Sequence, residues 1–479
     1  MRTGRLAIVV LLIGLAVAWP ARGAGVAAYT PVNISHNAGN SFYPSLGLNG
    51  TTLIAVWTDD TGSSNTEVFL ARSLDTGVTW GAAVNVSNTN TASSEQYDWA
   101  FAGRFLYIVW KDQSPGNDDI LYRRSTDGGA TFLPALSSPA TNLSGNAGVS
   151  QLPRVAVEGG NVYVAWEDQT PLNKEIFFRR SGDGGASFGT AKNLSNTLGV
   201  SASPQLVAFG PHVFVLWEEE TSLGHPDLLM RHSTDGGSTF AAAVNVSNDG
   251  DSSFLGGAAF AGQHVYAVYQ NAGGGGGGDI YGRLSGNGGA SFGAGTNISN
   301  NAGYSYAPRV MMTGTFVYVL WTDDTPGNYD IFFRRSLDAG ATWAAAINLS
   351  NNAGASIGIR ASWAMAGTVL HVAWPDQTPG NYDILYRRST NSGGSFVASV
   401  NLSANGGVSD FPQVLAVGRD AFVVWHDSTP GNYDILFLRT TTGGFSMPIG
   451  ADGPAWPGES ANPATPQWCG ADSPAACRP

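Results

Sequence analysis

Three arginines stand at one position of a repeated sequence and could bind an anionic ligand together. Arg154, Arg309 and Arg360 each lie twelve residues after the Asn of an Asn-[Ile/Val/Leu]-Ser triplet, where several other copies carry Ser or Gln. A guanidinium offers paired N–H donors that match a carboxylate. If the three side chains converge, they form a single site for a carboxylated ligand. The alternative is that each arginine pairs separately with an acidic loop, and the sequence leaves both open.

Residues that depart from the repeat are a second group of candidates. Copy two has Tyr97 and Trp99 beside carboxylates, and exposed aromatic rings there would suit stacking on sugars. Copy four replaces the usual turn with an acidic run that includes Glu219. Copy five has a glycine run, 273–278, which predicts a loop rather than a phosphate cradle because no Lys follows it. Drift of the repeat explains these departures about as well as ligand binding does.

Acidic loops of the repeat are candidates for calcium binding. They combine carboxylates, Asn and backbone carbonyls, which are the oxygen ligands that Ca²⁺ accepts. The candidate ligands are Asp323, Asp330, Asp376 and Asp383. The same Thr-Pro-Gly-Asn sequence is also an ordinary turn, in which Pro and Gly set the backbone and Asp and Asn cap it. The turn interpretation is favoured, and the melting temperature with and without a chelator separates the two.

The elements that must position these residues are copies of one unit. The Asn-x-Ser triplet recurs at steps of 51 to 57 residues and begins at Asn33, Asn85, Asn142, Asn193, Asn245, Asn297, Asn348 and Asn401. Each copy holds four short runs rich in Val, Ile, Tyr, Phe and Trp and bounded by Gly, Pro and Asn, which predicts four β-strands. A unit of this length is the size of one propeller blade, and eight blades lie within the known range.

The ends of the repeat region indicate how a ring would close. Residues 29–35 have a fourth-strand sequence with no first three strands before it, while the fourth strand of the last copy, 445–449, is weak. We therefore expect an all-β, eight-bladed β-propeller of four-stranded blades over residues 24–449. Its N-terminal strand should complete the last blade, because that hides both sheet edges.

Two recurring residues are expected to be structural. The Asn-x-Ser triplets are formal glycosylation sequons, but eight copies at one repeat position favour hydrogen bonding at a strand end. The Trp that ends the second strand, as in Trp321, is expected in the core for the same reason.

The segment before the repeats predicts export. Residues 1–23 combine Arg2 and Arg5 with 14 apolar residues and end in Ala-Arg-Gly, the pattern of a cleavable signal peptide. The apolar run is shorter than the ~20 residues needed to span a bilayer. We expect a secreted or cell-surface protein whose mature chain has no membrane span.

The C-terminal tail and the net charge give two further indications about the class of protein. Residues 450–479 are rich in Pro and Ala, and Cys469 and Cys477 could form a disulfide in an oxidising compartment. The chain has 24 Lys+Arg against 36 Asp+Glu, a formal net charge of −12. Nucleic-acid binding needs clustered basic charge, so this class is excluded.

An octapeptide in the repeat indicates a family. Residues 73–80, SLDTGVTW, match the Asp-box pattern Ser-x-Asp-x-Gly-x-Thr-Trp/Phe at every fixed position. Near-copies start at Ser125, Ser181, Ser233, Ser285, Ser336 and Ser389. The chain resembles the Asp-box (bacterial neuraminidase repeat) proteins of the sialidase-like β-propeller superfamily over essentially all of its mature length. Gly supplies a positive φ and the carboxylate can accept backbone N–H bonds, so a structural role is expected for Asp75, Asp127, Asp183, Asp235 and Asp338. The resemblance implies that these turns lie on the face opposite the binding site.

The resemblance also implies two functions. The catalytic family uses three arginines, a Tyr/Glu pair and an Asp, and its first arginine lies in a Phe/Tyr-Arg-Ile-Pro motif. The corresponding residues here, 40–46, contain no arginine. We therefore expect a secreted, non-catalytic protein that binds a glycan or another extracellular polymer, or that serves as a scaffold for a protein partner. The alternative is an exo-acting glycoside hydrolase of the sialidase class, with Arg154, Arg309 and Arg360 gripping the substrate carboxylate.

Overall fold

The chain folds as an eight-bladed β-propeller. The computed structural model describes residues 27–28, 30–61, 65–89, 92–170, 173–220, 225–273, 278–418 and 420–441, and within these ranges the strands form eight antiparallel sheets. The predicted fold class is thereby confirmed. The predicted signal peptide, the fourth-strand sequence at 445–449, the tail and the disulfide lie outside the described residues.

The strands are numbered along the chain. The N-terminal strands are β1 (Ala27–Ala28) and β2 (Val32–Asn33). Blades one to four contain β3 (Ser41–Asn49), β4 (Thr52–Asp59), β5 (Glu67–Ser73) and β6 (Val84–Asn85); β7 (Ser94–Ala102), β8 (Phe105–Asp112), β9 (Asp119–Ser125) and β10 (Thr141–Asn142); β11 (Ser150–Glu158), β12 (Asn161–Asp168), β13 (Glu175–Ser181) and β14 (Lys192–Asn193); β15 (Val200–Phe209), β16 (His212–Glu220), β17 (Pro226–Ser233) and β18 (Val244–Asn245). Blades five to eight contain β19 (Ser253–Ala261), β20 (His264–Asn271), β21 (Asp279–Ser285) and β22 (Thr296–Asn297); β23 (Ser305–Thr313), β24 (Phe316–Asp323), β25 (Asp330–Ser336) and β26 (Ile347–Asn348); a 3₁₀ turn (Gly358–Arg360), β27 (Ser362–Ala366), β28 (Val369–Asp376), β29 (Asp383–Ser389) and β30 (Val400–Asn401); β31 (Ser409–Val417), β32 (Asp420–Asp427) and β33 (Asp434–Thr441).

The N-terminal strand closes the ring, as expected. Val32 and Asn33 of β2 pair with Phe437 and Leu436 of β33, and β1 pairs with the end of the same strand. The first strand of blade one, β3, lies beside the strands of blade eight. The fourth strands are shorter than the sequence pattern predicts, because β2 and its counterparts pair over only two residues each.

The core lies between neighbouring blades. The Trp at the end of each second strand is buried, and Trp57, Trp321 and Trp425 are fully enclosed. The indole N–H of Trp321 donates to Asp323 Oδ2 at 2.9 Å, so the polar atom of this large side chain is satisfied inside the blade. Tyr269 takes the Trp position in blade five and is also buried.

The Asn-x-Ser triplets make the strand-end hydrogen bonds that the sequence predicts. Asn348 Nδ2 donates to Asp330 Oδ2 at 2.7 Å, and Ser350 Oγ donates to Asp330 Oδ1 at 2.5 Å. The side-chain Oδ1 of Asn348 also accepts the backbone N–H of Asn351 at 2.8 Å. The same pair of bonds joins Asn33 and Ser35 to Asp434 across the closing seam.

Two faces of the ring can be distinguished. The lower face carries the Asp-box turns and the hairpins between first and second strands, which are joined by bonds such as Thr76 N–H to Thr51 O at 2.9 Å. The upper face carries the loops between second and third strands and the loops that lead into first strands, joined by bonds such as Gln169 N–H to Val149 O at 2.9 Å. Because successive strands run in opposite directions, the loops of one set all lie at one end of the sheets and the loops of the other set lie at the opposite end.

Arginines on the lower face join neighbouring blades. Arg124 of blade two donates to Gly184 O in the Asp-box turn of blade three at 2.7 Å. Arg335 of blade six donates to Ser392 O of blade seven at 2.6 Å. Among the described residues the same contact recurs through Arg72 and Arg439, the latter across the closing seam, and Arg180 makes a similar contact to the Ser238 hydroxyl. We call these contacts the arginine clips.

Candidate functional site

The Asp-box carboxylates are bonded within their own turns. Asp75 Oδ1 accepts Ser73 Oγ–H and Thr79 N–H, each at 2.8 Å, and Oδ2 accepts Thr79 Oγ1–H at 2.6 Å. These hydrogen bonds, that from Thr79 foremost, lower the pKa of Asp75 to about 2. The same bonds recur at Asp127, Asp183, Asp235 and Asp338. The expected structural role therefore fits the geometry at all five positions.

The acidic residues proposed as calcium ligands are already hydrogen-bonded. Asp323 accepts bonds from Trp321, Ser305 and Asn301, and Asp376 accepts the corresponding set. Asp330 and Asp383 accept the Asn and Ser of the next triplet. Within the described ranges, no group of three or more His, Cys, Asp or Glu side chains is placed to hold a metal ion. This arrangement is that of a structural turn, and calcium binding stays a prediction for the chelator experiment.

The aromatic pair of blade two packs between blades, with Trp99 buried and Tyr97 partly exposed. Trp99 is only 4% exposed, and its indole N–H donates to Ser45 Oγ of blade one at 2.9 Å. Its ring occupies space left by Gly47, where a Cβ would lie 2.5 Å from the ring. The Tyr97 hydroxyl donates to the carbonyls of Tyr43 and Val56 in blade one. The expectation that Trp99 is available to a sugar is therefore wrong, and both residues join blades one and two.

Glu219 is a buried carboxylate that makes hydrogen bonds within blade four. It stands at the end of the second strand of blade four, where most blades have Asp, and it is buried. Its carboxylate accepts Trp217 Nε1–H at 2.8 Å and Ser201 Oγ–H at 2.6 Å. These are the bonds that Asp323 makes in blade six, so Glu219 substitutes for the repeat carboxylate instead of forming a separate ligand site.

The three matched arginines occupy different surroundings. Arg154 lies near the buried Asp98 of blade two, whose pKa burial raises to about 6 while Arg154 opposes that rise. Arg309 Nη2 donates to Ile359 O at 2.7 Å, which places it next to Arg360 of the following blade. Arg309 thus contacts the backbone next to Arg360 on the adjacent blade, whereas Arg154 lies three blades away from Arg309 around the ring.

Arg360 is held by charge and by an aromatic ring. It ends the 3₁₀ turn that replaces the start of the first strand in blade seven. Its guanidinium forms an ion pair with Asp410 of blade eight and lies 4.6 Å from the centre of the Phe411 ring. The Arg360 side chain is 34% exposed, against 7% for Asp410. Burial raises the pKa of Asp410, and the neighbouring Arg360 opposes that rise. Arg360 therefore presents a fixed, solvent-facing cation on the upper face.

Aromatic side chains continue from Arg360 in both directions around the ring. Phe411 packs edge-on against Tyr43 at 4.8 Å between ring centres, and Phe42 lies 5.1 Å from Tyr433. On the other side, Tyr306 of blade six lies between two further tyrosine rings. We call this set the aromatic arc; its members are Tyr304, Tyr306, Tyr329, Tyr382, Phe411, Tyr43, His426, Phe42 and Tyr433. All but His426 are partly exposed.

His426 forms the floor of the arc. Its imidazole is 5% exposed and contacts the rings of Phe42, Phe411 and Tyr433. Burial, followed by the nearby Arg360, lowers the pKa of His426 to about 3, so the ring is neutral at ordinary pH. Its Nδ1 is buried without a hydrogen-bond partner. Other buried polar atoms of the described residues, such as His371 Nε2 and Tyr318 OH, also lack a partner, so this atom does not by itself distinguish the arc from the rest of the scaffold.

A backbone feature that the sequence did not reveal aims two of these rings. In most blades the first strand has a bulge, and the bulged residue has a positive φ, which is uncommon for bulky side chains. Tyr43 has φ 53° and Phe411 has φ 51°. Among the described residues, the same conformation occurs at Gln96, Leu152, Ser203 and Ala307. The bulge redirects one side chain per blade, and in blades eight and one that side chain is aromatic.

Outside the aromatic arc, the upper face carries ion pairs in blades two and three. In blade two Lys111 forms ion pairs with Glu95 at 3.3 Å and Asp118 at 3.6 Å. In blade three Lys174 pairs with Glu167 at 3.0 Å. The residue before the third strand shows the contrast: it is Asp118 or Lys174 in these blades and Tyr in blades six, seven and eight. The upper face thus divides into a charged sector and the aromatic arc.

Comparison with known proteins gives structural similarities at low identity. No family model matches the chain, and no curated protein matches it. An ulvan lyase, a polysaccharide lyase bound to -[GlcA(1-4)Rha3S]-, is similar at 10% identity over 71% of this chain and 90% of that chain, with a TM-score of 0.47. A leech intramolecular trans-sialidase complexed with 2,7-anhydro-Neu5Ac is similar at 12% identity over 86% and 70%, with a TM-score of 0.41. A Hadza microbial sialidase is similar at 11% identity over 70% and 74%, with a TM-score of 0.36. These low scores assign no activity to the chain.

Within the described part of the chain, no helix has the length and apolar character needed to cross a membrane.

Proposed function

We propose that the protein is an exported, Asp-box propeller that binds an extracellular glycan on its upper face, at the aromatic arc. The observation that carries this proposal is Arg360, a partly exposed cation held by Asp410 and Phe411 among partly exposed tyrosines. Aromatic rings with one polar end suit the flat faces and hydroxyls of sugars. A guanidinium fits a carboxylate or sulfate group through paired hydrogen bonds.

Family membership and export are parts of the same proposal. Support for the Asp-box family comes from the turn hydrogen bonds, which the two Asn variants also make: Asn287 and Asn391 accept the N–H of Ser291 and Ser395. Support for export comes from the sequence of residues 1–23.

The proposal is tested by screening the mature protein against immobilised neutral, carboxylated and sulfated polysaccharides. We expect retention on at least one acidic polymer and loss of that retention in Arg360→Ala. Arg104→Ala is the matched control, because Arg104 also lies over an aromatic ring, at 5.6 Å from Phe105, but on the lower face. Equal retention of the two variants, or no retention of the wild type on any polymer, would contradict the proposal.

The second candidate is the exo-acting glycoside hydrolase. It is favoured by one observation, the hydrogen bond from Arg309 to Ile359 O, the backbone carbonyl that precedes Arg360 in the neighbouring blade. Turnover of a fluorogenic sialoside by the wild type, abolished in Arg309→Ala, would decide for the enzyme. Absence of turnover across a glycoside panel, together with retention on an immobilised polymer, decides for binding without catalysis.

A further inference from the structure

Three tyrosines of the arc occupy the same repeat position in consecutive blades. Tyr329, Tyr382 and Tyr433 each precede the third strand, in blades six, seven and eight, within the same Thr-Pro-Gly-Asn-Tyr-Asp loop. All three are partly exposed. Because the blades are related by rotation about the ring axis, these rings recur once per blade along the upper rim. A row of rings differs in this respect from a single pocket, where the contact residues surround one sugar.

The loops that carry these tyrosines are fixed to the next blade. Asn328 Nδ2 donates to Gly354 O at 2.5 Å, and Asn381 and Asn432 make the equivalent bonds to Gly407 O and Gly39 O. Each bond joins the loop of one blade to the loop that leads into the following blade. The spacing between neighbouring tyrosines is therefore set by the scaffold and does not depend on a ligand.

The rings are also supported individually. Tyr329 packs edge-on against Tyr306 at 5.5 Å between centres, and Tyr433 lies 5.1 Å from Phe42. Tyr382 lies close enough to Arg360 and Asp410 for both charges to affect its pKa, which burial raises. Rings that are already ordered lose little conformational freedom when a ligand stacks on them.

Cations lie among the three rings. Arg360 is adjacent to Tyr382, and Arg309 contacts the residue before Arg360. Across the ring, blade two presents two carboxylates, Glu95 and Asp118, against the single ammonium of Lys111. In the arc, Asp410 pairs with Arg360 and Arg309 adds a second positive charge, so a polyanion is favoured there relative to blade two. The combination favours a ligand that places several sugar faces and at least one acidic group along the rim.

We infer that the ligand is an extended stretch of an acidic polysaccharide, bound internally along Tyr329, Tyr382 and Tyr433, and not a terminal sugar held in one pocket. This inference rests on the proposed glycan binding and adds the class of ligand and its mode of attachment. A chain that reaches all three rings gains from each contact without a new association event, so its affinity rises with length. A monosaccharide reaches one ring at a time.

The experiment measures affinity against chain length by isothermal titration calorimetry. The mature protein is titrated with polygalacturonate and with chondroitin sulfate, each as the polymer and as di-, tetra- and hexasaccharides. We expect affinity to rise from the disaccharide to the hexasaccharide. Each of Tyr329→Ala, Tyr382→Ala and Tyr433→Ala should weaken binding of the polymer by roughly five- to thirty-fold, the range of an interface contact that exceeds 1 kcal/mol. The matched Tyr→Phe variants keep the ring and should bind nearly as the wild type does.

The outcomes separate this inference from the proposed function. If the disaccharide binds as tightly as the polymer, or if the three Tyr→Ala variants bind normally while Arg360→Ala does not, the extended mode is wrong and glycan binding stands. If neither polymer binds the wild type, the inference falls for this ligand class. If no polysaccharide of the wider screen is retained, the proposed function falls as well. Thermal melts of each variant confirm that a loss of binding is not a loss of folding.

Discussion

The closing seam of the ring depends on one carboxylate. Asp434 of blade eight is 3% exposed and accepts Asn33 Nδ2–H at 2.9 Å and Ser35 Oγ–H at 2.7 Å. The N-terminal segment pairs with β33 over two residues at β2 and two at β1, so these side-chain bonds add substantially to its attachment. We therefore expect Asp434→Ala to release the N-terminal strand before the rest of the ring unfolds.

The magnitude follows from the lost bonds. A hydrogen bond to a charged acceptor contributes about 1.5–3 kcal/mol, so the loss of two should weaken the seam by about 3–6 kcal/mol. Asp330→Ala is the matched control, because Asp330 makes the same two bonds to Asn348 and Ser350. In blade six, however, the third and fourth strands belong to one continuous segment, so the control removes the bonds without freeing a chain end.

Native-state hydrogen exchange read by mass spectrometry measures the effect. Peptides covering residues 32–35 in Asp434→Ala are compared with peptides covering 347–350 in Asp330→Ala. We expect the first to exchange through a local opening and the second to keep more of its protection. Equal protection of the two segments would refute the argument, because the side-chain bonds would then not be what holds the seam.

Three further predictions follow from the bonds described above. A chelator should leave the melting temperature unchanged, because the loop carboxylates already accept hydrogen bonds from protein donors. A clear fall in melting temperature on adding the chelator would instead support calcium binding at Asp323 and Asp376. The pKa of Asp75 is lowered to about 2 by its hydrogen bonds, so its share of stability is complete above pH ~4 and is lost as the pH falls towards 2. Asp75→Asn should therefore flatten the acid limb of a plot of melting temperature against pH, and an unchanged slope would count against this. Trp321→Ala should destabilise the protein to urea by about 3–5 kcal/mol, since it empties a fully buried site, whereas Trp80→Ala, at a partly exposed turn, should cost less.

The fold was accessible from the sequence because its information is repeated. A strand or turn that is ambiguous in one copy of the unit can be assigned from the other seven copies. The residue types at the turns also have a direct physical explanation, as the Gly of the Asp-box does. Gly77, for example, has φ 84°. Closure by the N-terminal strand could be predicted from the same repetition. The N-terminal segment has only the fourth strand of a unit, and the last copy has only a weak fourth strand, so the two segments complete one blade.

The candidate site was less accessible because it depends on relations between copies. Trp99 is exposed or buried according to whether the neighbouring blade offers space, and Gly47 offers it fifty-two positions earlier in the chain. No local rule predicts that Tyr43 and Phe411 adopt a positive φ, because bulky residues rarely do. The tyrosines before the third strands were visible in the sequence, but the carboxylates of the same loops were the more obvious candidates.

The arginine clips give the ring a direction. Each clip runs from a donor on one blade to an oxygen acceptor on the next, as Arg124 does to Gly184 O, so the two sides of a blade are different surfaces. Contacts between unlike surfaces are heterologous: they join copies head to tail and close only when the rotation adds up to a full turn. A fragment of four consecutive blades should accordingly assemble as a pair into a ring, and fragments whose number of blades does not divide eight should form open chains.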